Sequence, residues 1–195
     1  MNLSAHQPNF FPWLGYFVKV ALSDFHIILD DVEYSKNNWI NRNIIDSGKE
    51  HYLTLPVNKS DTSKPIKQVR LGQEYKFFVN KIVKTLEHQY KKSGSLTFIK
   101  NLLNESIDKN FTYLSELNLF YLTNIFKFFE ISTPIYRKSD LEMDNDLKAT
   151  KLLIELCKKY DCSNYISGIG SKNYLDESKF ISNQISLIYI EDLFT

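Results

Sequence analysis

The chain has 195 residues, 43% of them hydrophobic and 14% aromatic, which is enough for a packed core and favours one domain with a helical elaboration. Lys and Arg total 24 against 23 Asp and Glu, and the formal net charge of +1 argues against a general nucleic-acid binder. No apolar run reaches about 18 residues, and no basic-then-apolar leader opens the chain, so a cytoplasmic protein with neither membrane span nor secretory signal is expected.

Leu3 to Ala5 reads as a first strand, stopped by His6-Gln7-Pro8, where the proline ring presses Gln7 toward extended geometry. Trp13 to Leu22 follows as an amphipathic helix with Trp13, Phe17, Val20 and Ala21 on one side. Phe25 to Leu29 is nearly unbroken apolar sequence, as in a parallel strand buried on both faces. Strand, helix and strand make a βαβ unit. Asp30-Asp31 comes next, and Tyr34 to Asn43 has no clean period and reads as an ordered loop. Tyr52 to Val57 and Pro65 to Leu71 read as two short strands of an antiparallel extension.

The middle is helical. Apolar residues from Tyr75 to Tyr90 recur at helix spacing, Leu96 to Leu103 is a shorter helix, and Phe111 to Phe129 is apolar almost all round, which predicts a buried helix. Thr133 to Tyr136 is a predicted strand. Asp146 to Tyr160 is the cleanest amphipathic helix, with Asp144 or Asn145 as N-cap. After Asn164 to Ile166 comes Ser167-Gly168-Ile169-Gly170-Ser171, then a helix over Tyr174 to Ile181 and a last strand over Ser186 to Ile190. The expected fold is α/β, a Rossmann-like, mostly parallel sheet. A single domain spans 1–195, with residues 73–130 as a helical lobe within it.

Three polar clusters follow predicted strands: His6-Gln7, Asp30-Asp31 and Ser167-Gly168. In open parallel sheets ligands bind outside the carboxyl ends of strands, so these clusters would converge. An imidazole at a strand end can act as acid or base, though His6 could equally cap a turn. One aspartate could orient His6, accept a sugar hydroxyl or hold Mg²⁺ through water; a turn cap is the alternative. Lys36, Asn41, Arg42 and Asn43 suit phosphate and hydroxyl groups, or form a solvated loop. The glycine turn at 167–171 could present backbone N–H groups to an anion, yet it matches no named nucleotide motif. The run Phe10, Phe11, Trp13, Tyr16 and Phe17 could stack a ring, with core packing the expectation for most of it. Cys157 and Cys162 lack the partners of a zinc site and read as reduced thiols.

HQPNFFPWLGYFVK, DFHIILDDVEYSKNNWINRN, LTLPV and SGIGSKNYLD, in that order, resemble the WbqC-like family over nearly the whole chain. Members of that family commonly sit among genes for O-antigen and other surface polysaccharides. The resemblance therefore implies a cytoplasmic transferase on a nucleotide-linked amino sugar in lipopolysaccharide assembly, N-acyl transfer included. It places the family's recurrent positions on His6, Gln7, Asp30, Asp31, Lys36, Asn41, Arg42, Asn43, Ser167, Gly168, Tyr174 and Leu175. Ser171 departs from it, where a second glycine is expected, and this weakens the phosphate-cradle idea. On this reading His6, Asp30 and Asp31 are catalytic. Gln7, Lys36, Asn41, Arg42, Asn43, Ser167, Gly168 and Tyr174 bind substrate, and no residue is assigned to a metal. The alternatives are an ATP-dependent or nucleotidyl-transferring enzyme on a HUP-like α/β fold, and a non-catalytic partner of a glycan-pathway enzyme. The cofactor is left unassigned, between an acyl donor and ATP with Mg²⁺. The partner is a nucleotide-sugar small molecule, and a homodimer is left open.

Overall fold

A computed structural model describes residues 1–46, 50–144 and 146–193. The chain divides into two compact units: Met1–Gln7, Trp13–Leu29 and Phe129–Thr195 form the first, Pro8–Pro12 and Asp30–Phe128 the second.

The first unit is built on a five-stranded sheet. Its strands are β1 (Asn2–His6), β2 (Phe25–Ile28), β5 (Ile135–Arg137), β6 (Asn164–Ser167) and β7 (Ser186–Tyr189), in the order β5-β2-β1-β6-β7. Every pairing in it is parallel, with Leu3 level with Phe25 on one side and with Tyr165 on the other. The α/β, Rossmann-like expectation is met. Connections run one way from β1 through β2 to β5 and the other way from β6 to β7, so the order reverses between β1 and β6.

Apolar runs explain the sheet. Leu3, Ile27 and Ile28 are fully buried, as strands covered on both faces must be. Helix α1 (Leu14–Ala21) buries Tyr16, Phe17, Lys19 and Val20. Trp13 and Ala21, read from periodicity as part of the apolar side, are exposed. Helix α5 (Ala149–Lys159) buries Leu152, Leu153, Leu156 and Cys157. It starts later than the apolar period suggests, with Lys148 at the N-cap position. Asp144 instead accepts the Asp146 N–H within a turn, and Asn145 lies outside the described residues. Helix α6 is short (Glu177–Ser182), and its Phe180 stacks on Tyr165 with ring centroids 5.7 Å apart. Both cysteines are buried and free, and burial pushes the Cys157 thiol up to about 12.

The second unit holds an antiparallel hairpin, β3 (Arg42–Asp46) with β4 (Glu50–Thr54), and three helices, α2 (Tyr75–Gln89), α3 (Leu96–Lys109) and α4 (Leu114–Phe128). The expected second strand at Pro65–Leu71 is a 3-10 turn over Ile66–Gln68 with an isolated bridge from Leu71 to Val57. The hairpin partner is instead Arg42–Asp46, part of which read as loop. Helix α4 is amphipathic rather than buried all round. Leu114, Leu117, Asn118, Tyr121, Leu122, Ile125 and Phe126 face inward, and Phe128 is exposed. Asp61 is fully buried and bonded to Lys64 Nζ at 2.6 Å and to Arg70 Nε at 2.7 Å. Those donors hold its carboxyl well below the usual carboxylate range.

No helix among the described residues is long and apolar enough to cross a membrane.

Candidate functional site

The strand order reverses between β1 and β6, and in folds of this type ligands sit in a crevice at the carboxyl edge of the sheet beside such a reversal. β1 ends at His6, with Gln7 next, and β6 ends at Ser167, with Gly168 next. Carrying the pairing of Leu3 with Tyr165 three residues onward sets His6 level with Gly168. The sheet thus brings two of the three predicted clusters to one edge of the first unit. The third, Asp30-Asp31, begins where the chain enters the second unit, two residues after β2 ends.

His6 is half-buried, with its ring edge-on to Tyr16 at 4.9 Å. Its Nδ1 lies 3.2 Å from the Gln7 carbonyl, an acceptor only, so Nδ1 carries the proton and Nε2 keeps its lone pair. Burial first, and the Lys19 charge second, push its conjugate acid down to about 3. The ring is therefore neutral at pH 7 and offers Nε2 as an acceptor.

Behind His6 lies a buried polar chain that periodicity alone did not single out. Ser23 Oγ is 2.8 Å from Ser4 Oγ, which is 2.8 Å from His26 Nδ1. His26 Nε2 is 3.3 Å from Tyr16 Oη, which lies 3.4 Å from the Gln7 carbonyl. Two proton assignments satisfy this series: Ser23 to Ser4, Ser4 to His26 Nδ1, His26 Nε2–H to Tyr16 and Tyr16 to Gln7, or, with Ser23 donating to the Lys19 carbonyl at 2.8 Å, Ser4 to Ser23, His26 Nδ1–H to Ser4 and Tyr16 to His26 Nε2. Burial, with the charges of Lys19 and His6, holds the His26 pKa well below its usual value. Lys19 is 4% exposed, donates to the Ala5 carbonyl at 3.1 Å and lies 5.7 Å from the Tyr16 ring centre. Its burial brings its pKa down to about 7, opposed by Glu191. The signal was in the sequence: Tyr16, Lys19, Val20 and Ser23 follow helix spacing, and His26 interrupts an apolar strand.

On the β6 side, Ser167 is buried, with its hydroxyl 2.7 Å from that of Ser171. Ser171 Oγ donates to the Gly168 carbonyl at 2.8 Å, which turns this hydroxyl pair into the loop. The turn leads into a 3-10 segment, Ile169–Asn173, rather than an α-helix, so no helix N-terminus stands behind it. Tyr174 ends that segment, 64% exposed. Gly168 faces the indole of Trp13: a Cβ there would lie 3.8 Å from Trp13 Cζ2.

The remaining predicted residues belong to the second unit. Asp30 is buried and its backbone carbonyl accepts from Lys67 N at 2.7 Å; Asp31 is half-buried. Lys36 is exposed. Asn41 is buried, accepting from Tyr34 Oη at 2.9 Å and donating to the Leu55 carbonyl at 2.8 Å. Asn43 donates to the Phe11 carbonyl and accepts from Ile44 N. Phe11 itself sits at φ 45°, costly for a bulky side chain, with its ring 4.7 Å from Tyr121. Arg42 donates to the Asn37 carbonyl and lies over the rings of Trp39 and Tyr52, at 6.0 and 4.6 Å. These polar groups organise the loop that joins Tyr34 to the hairpin.

Residues 7–193 match the model of the WbqC-like protein family. The chain belongs to the WbqC-like family. It is also 29% identical over 189 residues to a Mycobacterium tuberculosis (strain ATCC 25618 / H37Rv) relative named Uncharacterized protein Rv1507c, an alignment covering 95% of this chain and 80% of the relative. No solved structure matches. The WbqC-like match begins at Gln7, just beyond β1, and takes in the polar face of α1 and the β6 turn, leaving out the strand that ends in His6.

Proposed function

We propose that this WbqC-like protein is a transferase acting on a nucleotide-linked sugar, held at the carboxyl edge of the sheet where β1 and β6 part. The observation that carries the reading is the pairing of that strand reversal with His6 at one lip and the Gly168 turn at the other. The surface-polysaccharide gene setting associated with the family supports a sugar nucleotide as the substrate class.

His6 acts as the proton acceptor through Nε2. For N-acyl transfer, the sugar amine bonds to the carbonyl carbon of an activated acyl donor. The donor's leaving group departs with its electron pair, and the amine proton passes to Nε2. A conjugate acid near 3 makes the free imidazole a weak base. A diphosphate in the crevice carries charge of the sign that raises it toward neutrality, so basicity arrives with substrate. Gln7, Ser167, Gly168 and Tyr174 supply the surrounding surface.

Thermal shift with UDP-N-acetylglucosamine, dTDP-glucose and GDP-mannose, set against ATP with Mg²⁺, tests the reading. A ligand at a hundred times its Kd adds about 2.7 kcal/mol of stability. Stabilisation by a sugar nucleotide, and loss of acyl transfer in His6→Ala with binding retained, is the expected result. Stabilisation by ATP alone favours the nucleotidyl-transfer reading, and stabilisation by none of them removes both.

A further inference from the structure

Among the aromatics between β1 and the middle of α1, Phe10 and Tyr16 are 1% exposed and Phe17 is 6% exposed, whereas Trp13 is 55% exposed. A scattered exposed aromatic needs no explanation. This one has a seat built for it. Gly15 is buried one residue beyond the first helical position, and a Cβ there would run into the six-membered ring of Trp13. Any residue but glycine at 15 would displace the indole. On the other side lies Gly168, at the exit of β6, where an added Cβ would come within 3.8 Å of Trp13 Cζ2. Trp13 is thus held by the first turn of α1 beside the glycine turn, at the edge where His6 ends β1, with more than half its surface open.

We infer that Trp13 is the stacking platform for the nucleobase of the bound nucleotide. This rests on the sugar-nucleotide reading and names the part of the ligand that the crevice recognises without hydrogen bonds. A fixed indole face is sequence-tolerant, since every base has a π-face. It loses little conformational freedom on binding, because Gly15 has already set its place. Its position beside the strand reversal leaves the lone pair of His6 for the other end of the ligand.

Isothermal titration and indole fluorescence on the full chain test this, with UDP-N-acetylglucosamine, dTDP-glucose and GDP-mannose as probes and inorganic pyrophosphate as a ligand without a base. Binding of a sugar nucleotide should quench the tryptophan emission. Trp13→Ala should weaken that binding by about 5- to 150-fold, the range for one base stacked on one aromatic, and leave pyrophosphate binding within about twofold. Trp13→Phe should keep most of the affinity and lose the quench. Gly15→Ala, which keeps the indole but dislodges it, should lose affinity as Trp13→Ala does. This second variant carries the test if Trp13→Ala folds poorly. Sugar-nucleotide binding unchanged in Trp13→Ala and Gly15→Ala overturns the platform and leaves the functional reading standing. No binding of any of the three by the wild-type protein overturns both.

Discussion

Tyr16 Oη sits 3.3 Å from His26 Nε2 and 3.4 Å from the carbonyl oxygen of Gln7, which also receives the Nδ1 proton of His6. The hydroxyl therefore couples a fully buried imidazole to the residue that fixes the catalytic candidate's tautomer. Tyr16→Phe keeps the ring against His6 but leaves His26 Nε2 without its partner. A buried polar group so orphaned costs about 1–3 kcal/mol. Urea unfolding at pH 7.5 should show a lowered midpoint with unchanged m value. An unaltered midpoint would mean that water or another group replaces the hydroxyl.

Lys19 makes stability depend on alkaline pH in a direction that can be worked out. Its folded pKa of about 7 lies below the unfolded value of about 10.4, so between these limits the unfolded chain holds more protons. Stability from this group is lowest below about pH 7, rises through the window by at most about 1.4 kcal/mol per pH unit, and levels off above it. Lys19→Met removes the term. The stability of Lys19→Met minus that of the wild type, from urea titrations at pH 7, 8 and 9, should shrink as pH climbs. A difference independent of pH would show that the lysine stays charged in the fold.

In the second unit, Asn118 is fully buried on α4 and donates to the Pro8 and Ile40 carbonyls at 2.7 and 2.6 Å. It joins three stretches of chain far apart in sequence. Asn118→Ala orphans two buried carbonyls, each worth about 1–3 kcal/mol, and should rank among the most damaging single truncations in α4. A comparison with Thr123→Ala, on the exposed face of the same helix, measures this; equal losses in chemical denaturation would contradict it.

The sheet was legible because a strand covered on both faces leaves an unbroken apolar run, as Phe25 to Leu29 does, and helix α2 because its apolar residues keep a period of 3.6. Arg42–Asp46 does not read as a strand in sequence, since it mixes polar and apolar residues and becomes one only through its partner at Glu50–Thr54. Pro65 cannot donate to a ladder, and the segment after it turns instead. At the crevice, strand ends named His6 and Ser167-Gly168. Tyr16 reads from sequence only as a stacking or core ring, and Lys19 and His26 carry no role there, because polar residues on a buried face look, in one dimension, like ordinary members of a helix or strand. In sequence Trp13 is one of five clustered aromatics, and only its exposure and the space that Gly15 leaves open set it apart.

The most direct test of the crevice is a backbone amide NMR titration of the full chain with the sugar nucleotide that gives the largest thermal shift. The account predicts that the strongest perturbations fall together on residues 6–7, 13–15 and 167–171, with the His6 side-chain Nε2 resonance moving as it gains a proton or hydrogen bond. Perturbations centred on any other surface, with these three segments silent, would contradict it.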